Sequence, residues 1–388
     1  MKSTIIAQLV AFTLAPLALN ASAEPPTFQM GQMLSEAQNT CIVRFDDSIS
    51  KFDVEGRTRG MLVASNAQAK HIYKHSIKGF AVNMPCVKAQ DVFGDDPDIV
   101  SFEQDSLIFA LAPPPGKGKN KDDSGDPPEE TSQTTPWGIT RVGGPVNGSG
   151  QVAWIIDTGI DLNHPDLNVD ANNGFSAFSS GRDSSPNDGH GHGTHVAGTV
   201  AALDNNRDVV GVAAGATVVP VKVLNRRGSG TTSGVIAGVD HVAANAGSGH
   251  CANMSLGGGA SASLDAAVIR LAETGVLVSL AAGNSSNRAD TSSPARANHA
   301  NIYTISATDR NDVFAYFSNY GNPPVDYAAP GVSVLSTRAG GGTVTYSGTS
   351  MAAPHACGVL LMMNSAPPAT SGSASGDPDG NPDPIIHL

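Results

Sequence analysis

The sequence predicts an α/β fold, a doubly wound parallel sheet preceded by a small α+β domain, and three observations carry that prediction. After Trp137, apolar runs of strand length alternate with Gly/Ala-rich segments of helix length, the pattern of a parallel sheet covered on both faces. Before Ile108, shorter alternating runs read as strands of a smaller domain. Between the two, Pro113-Pro114-Pro115-Gly116-Lys117-Gly118-Lys119 and the stretch Asp122 to Glu130 contain almost no apolar residues, so they cannot bury a core and read as an exposed, cleavable linker. A length of 388 residues accommodates one large domain and one small one. Only 5% aromatic residues beside 43 Gly and 25 Pro argue for many turns and against a coiled coil or helical bundle.

The elements follow in order. Lys2, the apolar run Ile5 to Leu19 and the small-residue site Ala21-Ser22-Ala23 read as a secretory signal peptide over residues 1–23. That run is shorter than the ~20 residues a spanning helix needs, and no later run is apolar enough, so no membrane anchor is expected. The chain is expected outside the cytoplasm, extracellular or periplasmic. In the domain 24–112, Cys41 to Phe45, Gly79 to Val82 and Ile99 to Glu103 alternate like strands and carry no catalytic pattern. The linker occupies 113–132. In the domain 133–363, Val152 to Ile156, Val218 to Val223 and Val276 to Leu280 read as strands buried on both faces, and Ser233 to Ala246 and Ala260 to Thr274 as helices. Residues 364–388 are Pro/Ser/Gly/Asp-rich and read as a polar tail.

Charge and cysteine content exclude some functions. Lys and Arg number 23 against 35 Asp and Glu, a net charge of −12 with no basic stripe, so nucleic acid is not an expected partner. Four cysteines permit one or two bridges but no disulfide scaffold.

Residues able to do chemistry fall at strand and helix ends. Asp157 directly follows the strand ending at Ile156, where ligands bind in doubly wound sheets, although Asp157-Thr158-Gly159 also makes a good turn. His190, His192 and His195 lie near a helix start; their spacing is not that of a zinc-protease helix. Ser350, in Gly348-Thr349-Ser350-Met351-Ala352, opens a segment that can turn helical, a place where serine also serves as a cap.

Taken together, Asp157-Thr158-Gly159, His192-Gly193-Thr194-His195 and Gly348 to Ala352 resemble the subtilisin-like serine protease family, most closely its secreted subtilisin-like and proteinase K-like members. The resemblance runs from about Gln133 to Met363, with the three motifs in the family's order. It implies a secreted serine endopeptidase with Asp157, His192 and Ser350 as a catalytic triad and His195 as a structural residue. Asn284, after Ala281-Ala282-Gly283, is implied as an oxyanion donor with the Ser350 backbone N–H. Gly228-Ser229-Gly230 and Ser255-Leu256-Gly257 match the family segments that flank an extended peptide, and Ala281 to Gly283 with Ser293-Pro294 those that line the first specificity pocket. No charge is evident there, which favours broad or apolar specificity.

The region Thr40 to Ile108 resembles the family's inhibitory propeptide, a ferredoxin-like domain, through Tyr73 to Phe80. The resemblance thus implies a self-processed zymogen inhibited by its own propeptide, cut between Ala112 and Gln133, and acting as a monomer on proteins or peptides. It also implies a structural Ca²⁺ held by Gln133, Asp166 and Asn205 with the carbonyls of Leu203, Arg207 and Val209, a hard-oxygen set. Asp326 matches a second site of proteinase K-like members, but the segment 298–301 departs from theirs in length. Any disulfides are expected within regions, Cys41 with Cys86 and Cys251 with Cys357, since a bridge between regions would tether an inhibitor that must leave. The family's usual C-terminal cap is expected to be short or missing. Two rivals are an α/β-hydrolase esterase, which needs Gly-x-Ser-x-Gly and a different residue order, and a catalytically inactive subtilisin-like binding protein, which should lack one of Asp157, His192, Ser350 or Asn284.

Overall fold

The computed structural model describes residues 26–111, 132–363 and 367–388. The signal-peptide reading and nearly all of the linker lie outside these residues.

The small domain begins with helix α1 (Pro26–Gln38), followed by β1 (Cys41–Phe45), α2 (Val54–Ser65), β2 (Ala69–Tyr73), β3 (Gly79–Val82), α3 (Cys86–Phe93) and β4 (Ile99–Gln104). The strands form an antiparallel sheet in the order β2-β3-β1-β4, the ferredoxin-like arrangement. Side chains alternate across it with period two. Val43, Phe45, Phe80 and Val82 point to a core with Leu62 and Phe93 of the two helices, while Ile42, Tyr73, Ile77 and Ala81 point to the large domain. Cys41 and Cys86 are bridged, as are Cys251 and Cys357.

In the large domain, α4 (Trp137–Arg141), α5 (His192–Ala201), α6 (Thr232–Asn245), α7 (Ala262–Glu273) and α8 (Thr349–Met362) accompany a ten-stranded sheet. The central strands run in the spatial order 325–330, 302–308, 277–281, 251–254, 152–157 and 217–222, all parallel. Helices α5 and α8 contribute to the core on one face, α6 and α7 to the core on the other. The expected strands and helices are present with ends shifted by one or two residues. No helix among the described residues is long and apolar enough to cross a membrane.

The C-terminal segment departs from the polar tail expected of it. Ala369–Ser373 and Pro384–His387 pair antiparallel, and the latter adds in parallel to Val325–Pro330 at the sheet edge. Ile385 and Ile386 are fully buried, and the Asp383 carboxylate is held by Ser306 and Asn322. Two apolar residues suffice to dock the strand, too short a run to stand out in a Pro/Asp/Gly-rich segment. The cap is therefore short but present.

The small domain sits on α6 and α7. Its buried face forms one apolar cluster with Val235, Ile236, Val239 and Leu264, each fully buried large side chain contributing about 1.5–3 kcal/mol. Carboxylates complete the seam. Asp105 accepts from Ser233 N and Oγ, and Glu103 from Ser263 N and Oγ, at the first turns of α6 and α7, where negative charge is favoured. In return Asp240 accepts from the backbone N–H groups of Lys74, His75 and Ser76 and from Ser76 Oγ, at 2.7–3.1 Å.

Candidate active site

Asp157 ends the strand Val152–Asp157, between strands 217–222 and 251–254, where the chain order reverses across the sheet. Such switch points open crevices at the carboxyl ends of strands. Its buried carboxylate meets His192 Nδ1 at 2.8 Å through Oδ1 and 3.0 Å through Oδ2. His192 is the first residue of α5, and Gly191 before it has φ 102°, a left-handed turn that suits glycine. Gly193 permits the close approach: a Cβ there would lie 2.1 Å from the Gly159 carbonyl oxygen.

Burial is the largest influence on His192 and pushes its pKa down. The charge and hydrogen bond of Asp157, with the charge of Asp188, act against it, and the pKa ends above 6.5. His195 faces away, its Nε2 3.1 Å from the Val334 carbonyl, and burial pushes its pKa down to about 3.

Ser350 is the second residue of α8, with Oγ 3.1 Å from the carbonyl oxygens of both Leu111 and Ser255. His192 Nε2 is buried and hydrogen-bonds to none of the described residues. The Leu111 carbonyl also accepts from Asn284 Nδ2 at 2.9 Å. Thr349 fixes that amide, since its N–H and Oγ1–H both donate to Asn284 Oδ1, at 2.9 and 2.8 Å, and leave the nitrogen facing Leu111. Gly348 keeps the space open: a Cβ there would lie 3.0 Å from Asn284 Nδ2, 3.2 Å from the Leu111 oxygen and 3.7 Å from Ser350 N. These three atoms therefore surround one point.

Leu111 is delivered there by β5 (Leu107–Ala110), which leaves the small domain and runs antiparallel between the large-domain strands Ser229–Thr231 and Leu256–Gly259. Ala110 N donates to the Gly228 carbonyl at 2.8 Å, and Phe109 faces Ser229 on one side and Gly257 on the other. Ile108 is fully buried with Leu256 and Leu224. A Cβ on Gly258 would come 2.6 Å from Ile108 Cδ1, and one on Gly257 3.4 Å from Leu111 Cδ2. The residues Gly228, Ser229, Gly230, Ser255, Leu256 and Gly257 are thus brought together around one extended segment. Ala281 and Gly283 sit on and just after the strand 277–281 that leads to Asn284, and Gly283 is pressed against the Asn319 amide.

The subtilase family model matches residues 148–375. The chain belongs to the subtilase family. It is a subtilisin-like serine peptidase, and its substrates are proteins or peptides. It is 38% identical over 342 residues to the subtilisin-like serine protease AsES of Sarocladium strictum, covering 84% of this chain and 79% of that one. Proteinase R of Parengyodontium album is 35% identical, over 80% of this chain and 76% of its own. A solved structure, that of a cold adapted subtilisin-like serine proteinase, superposes with a TM-score of 0.57 at 38% identity, covering 65% of this chain and 97% of that one.

The candidate metal residues of this subtilase also converge. Gln133 Nε2 touches the carbonyls of Leu203 and Val209 at 2.6 and 3.1 Å, and Asn205 Nδ2 touches Asp166 Oδ1 at 2.6 Å. Burial pushes the Asp166 pKa up to about 6, against the hydrogen bonds of Asn205 and Val209 and the charge of Arg207. Gln133 Oε1 accepts from Asn205 N at 3.2 Å, so the two amides, the Leu203 and Val209 carbonyls and the Asp166 carboxylate lie together, a set of neutral oxygens and one carboxylate whose chemistry fits Ca²⁺. Arg207 contributes a backbone N–H to Asn205 Oδ1. Asp326 accepts from Thr304 N, and burial pushes its pKa up to about 6.

Sequence reasoning missed Leu111 and Ile108, although Leu107 to Leu111 is an apolar run ending at the linker. It also missed Asp188, whose signal, an acid followed by Gly-His-Gly, is indistinguishable from a turn.

Proposed function

We propose that this subtilase is a secreted serine endopeptidase, made as a zymogen that cuts itself at the Leu111–Ala112 bond. One observation carries the reading: the Leu111 carbonyl accepts from both Ser350 Oγ and Asn284 Nδ2, in a chain whose His192 is paired with Asp157. Ser350 Oγ turns from Leu111 toward His192 Nε2, gives up its proton and attacks the carbonyl carbon. Asp157 keeps the Nδ1–H tautomer and stabilises the imidazolium without taking the proton. Negative charge developing on oxygen is met by Asn284 Nδ2–H and Ser350 N–H. His192 then protonates the leaving nitrogen, and water releases the acyl group by the same steps in reverse.

The bond cut first is one residue earlier than the interval between Ala112 and Gln133. The small domain stays as an inhibitor because β5 already occupies the cleft, paired antiparallel with the strands on both sides of it. Substrates bind likewise, as a strand between 229–231 and 256–259. Ile108 and Leu111 mark apolar preferences at the fourth and first residues before the cut, counted from the bond. Residues 1–23 direct export, and the enzyme works as a monomer. Gln133, Asp166, Asn205, Leu203, Arg207 and Val209 hold a Ca²⁺ that stabilises the fold by neutralising Asp166.

Labelling the purified protein with a fluorophosphonate and mapping the adduct tests the reading. Modification at Ser350, absent in His192→Ala, is expected; an unlabelled Ser350 in protein that cleaves peptides would overturn it.

A further inference from the structure

A second carboxylate, outside the Asp157, His192 and Ser350 set, ties the turn bearing the acid to the helix bearing the base. Asp188 is buried and accepts five hydrogen bonds. Oδ1 takes those of Thr158 Oγ1, His190 N and Gly191 N at 2.9, 2.8 and 2.8 Å, and Oδ2 those of Thr194 N and Oγ1 at 2.9 and 2.7 Å. Three of the donors are backbone groups at the start of α5, the turn that aims His192. A fourth, Thr158, belongs to the turn of Asp157: its N–H donates to Asp157 Oδ1 at 2.7 Å, and its Oγ1 accepts from Gly193 N at 2.9 Å.

We infer that Asp188 is a positioning residue of the reaction, locking the separation of Asp157 and His192 and fixing a carboxylate at the turn that carries His192. This rests on the proposed role of His192. The geometry leaves little else for it to do. Among the described residues Asp188 forms no ion pair of its own, and two of its five donors are hydroxyls that an ordinary helix cap would not need. The five bonds deny the carboxylate the freedom to move away.

Other charged and titratable groups around the ring are Asp157, His190 and His195 on its own segment, Tyr346 stacked on His195, and Lys222 from the neighbouring strand. Lys222 Nζ donates to the Thr158 carbonyl at 2.6 Å and lies 3.5 Å from Asp183, so its charge is partly spoken for by another acid. Asp157 and Asp188 are the two acids whose charges raise the His192 pKa, and Asp188 does so without touching the ring's hydrogen bond.

The test is the pH profile of kcat and of kcat/KM on a peptide substrate, in the processed enzyme, for the parent, Asp188→Asn and Thr158→Val, with fluorophosphonate labelling of Ser350 alongside. Asp188→Asn is expected to move the acid limb down by roughly half a unit to one unit, less than the 1–3 units of a charge in direct contact, and to lower the plateau kcat about tenfold or more with KM little changed. Thr158→Val removes the bridge but keeps the charge, so its plateau should fall while its limb stays or moves up. An unmoved limb in Asp188→Asn, whatever its plateau, overturns the electrostatic role; unchanged kinetics in Thr158→Val overturn the positioning role. If Asp188→Asn does not accumulate, Thr158→Val decides: a lower plateau with the limb held supports the inference. Failure of the parent to label at Ser350 would instead sink the proposed function beneath it.

Discussion

The Leu111 carbonyl oxygen lies 2.9 Å from Asn284 Nδ2, and the same amide is oriented by two bonds from Thr349 to its other end. In the proposed reaction a donor fixed before substrate arrives would need no reorganisation when negative charge appears, which is where its rate effect would come from. Asn284→Ala should therefore lower kcat by about 10²–10³, the size found in subtilisin for a donor of this kind, with KM nearly unchanged. An equal loss carried by KM would mean that the amide binds the ground state only.

Self-processing should release a large fragment beginning at Ala112. Intact-mass measurement of the freshly refolded parent checks this, and Ser350→Ala should remain a single chain. Leu111→Asp should slow the cut by at least about 10²-fold, since it puts a charge where the Leu111 side chain packs against Gly257 and the apolar core. A first cut inside 113–132 in the parent would remove Leu111 from its assigned place.

Much of this was readable in the sequence, for physical reasons. Val152 to Ile156 is apolar on both faces because the strand is covered by helices on both, and Asp157 stands out as the first polar residue after it. Asn284 stands out less, since Gly-Asn is a common turn, and only its place in a motif marks it. Leu111 was not legible because its role depends on which strands it lies between, a contact across more than 100 residues of chain. Ile385 and Ile386 were missed for the opposite reason: the segment is short, and its polar composition conceals a strand that needs only two buried side chains.

Chelation should lower the melting temperature and speed autolysis. An ion bound by the folded state alone adds RT ln(1 + [L]/Kd), about 2.7 kcal/mol when free Ca²⁺ is a hundred times Kd. Asp166→Asn should melt at nearly the same temperature with and without Ca²⁺. Calorimetric scans of parent and variant check it; a parent melt that ignores both chelator and excess Ca²⁺ would remove the ion from this site.

The base must be neutral to take the serine proton, so kcat/KM should rise through neutral pH to an alkaline plateau, with a midpoint above 6.5, because the His192 pKa is raised. The same shift has a consequence for stability with the opposite sign. A proton held more tightly by the folded state than by the unfolded one contributes stability that is fully present below the unfolded value of about 6.5 and is lost as pH rises through the folded pKa. Activity should therefore appear across the window in which this contribution to stability disappears. Asp157→Asn removes the main upward influence: the limb should move down, the plateau should fall by a factor on the order of 10⁴ as the tautomer is lost, and the stability contribution should vanish with it. Profiles of kcat/KM and urea midpoints measured over the same pH range decide the matter. A variant whose rate collapses while its stability keeps the parent's pH dependence would show that some group other than His192 titrates in that window.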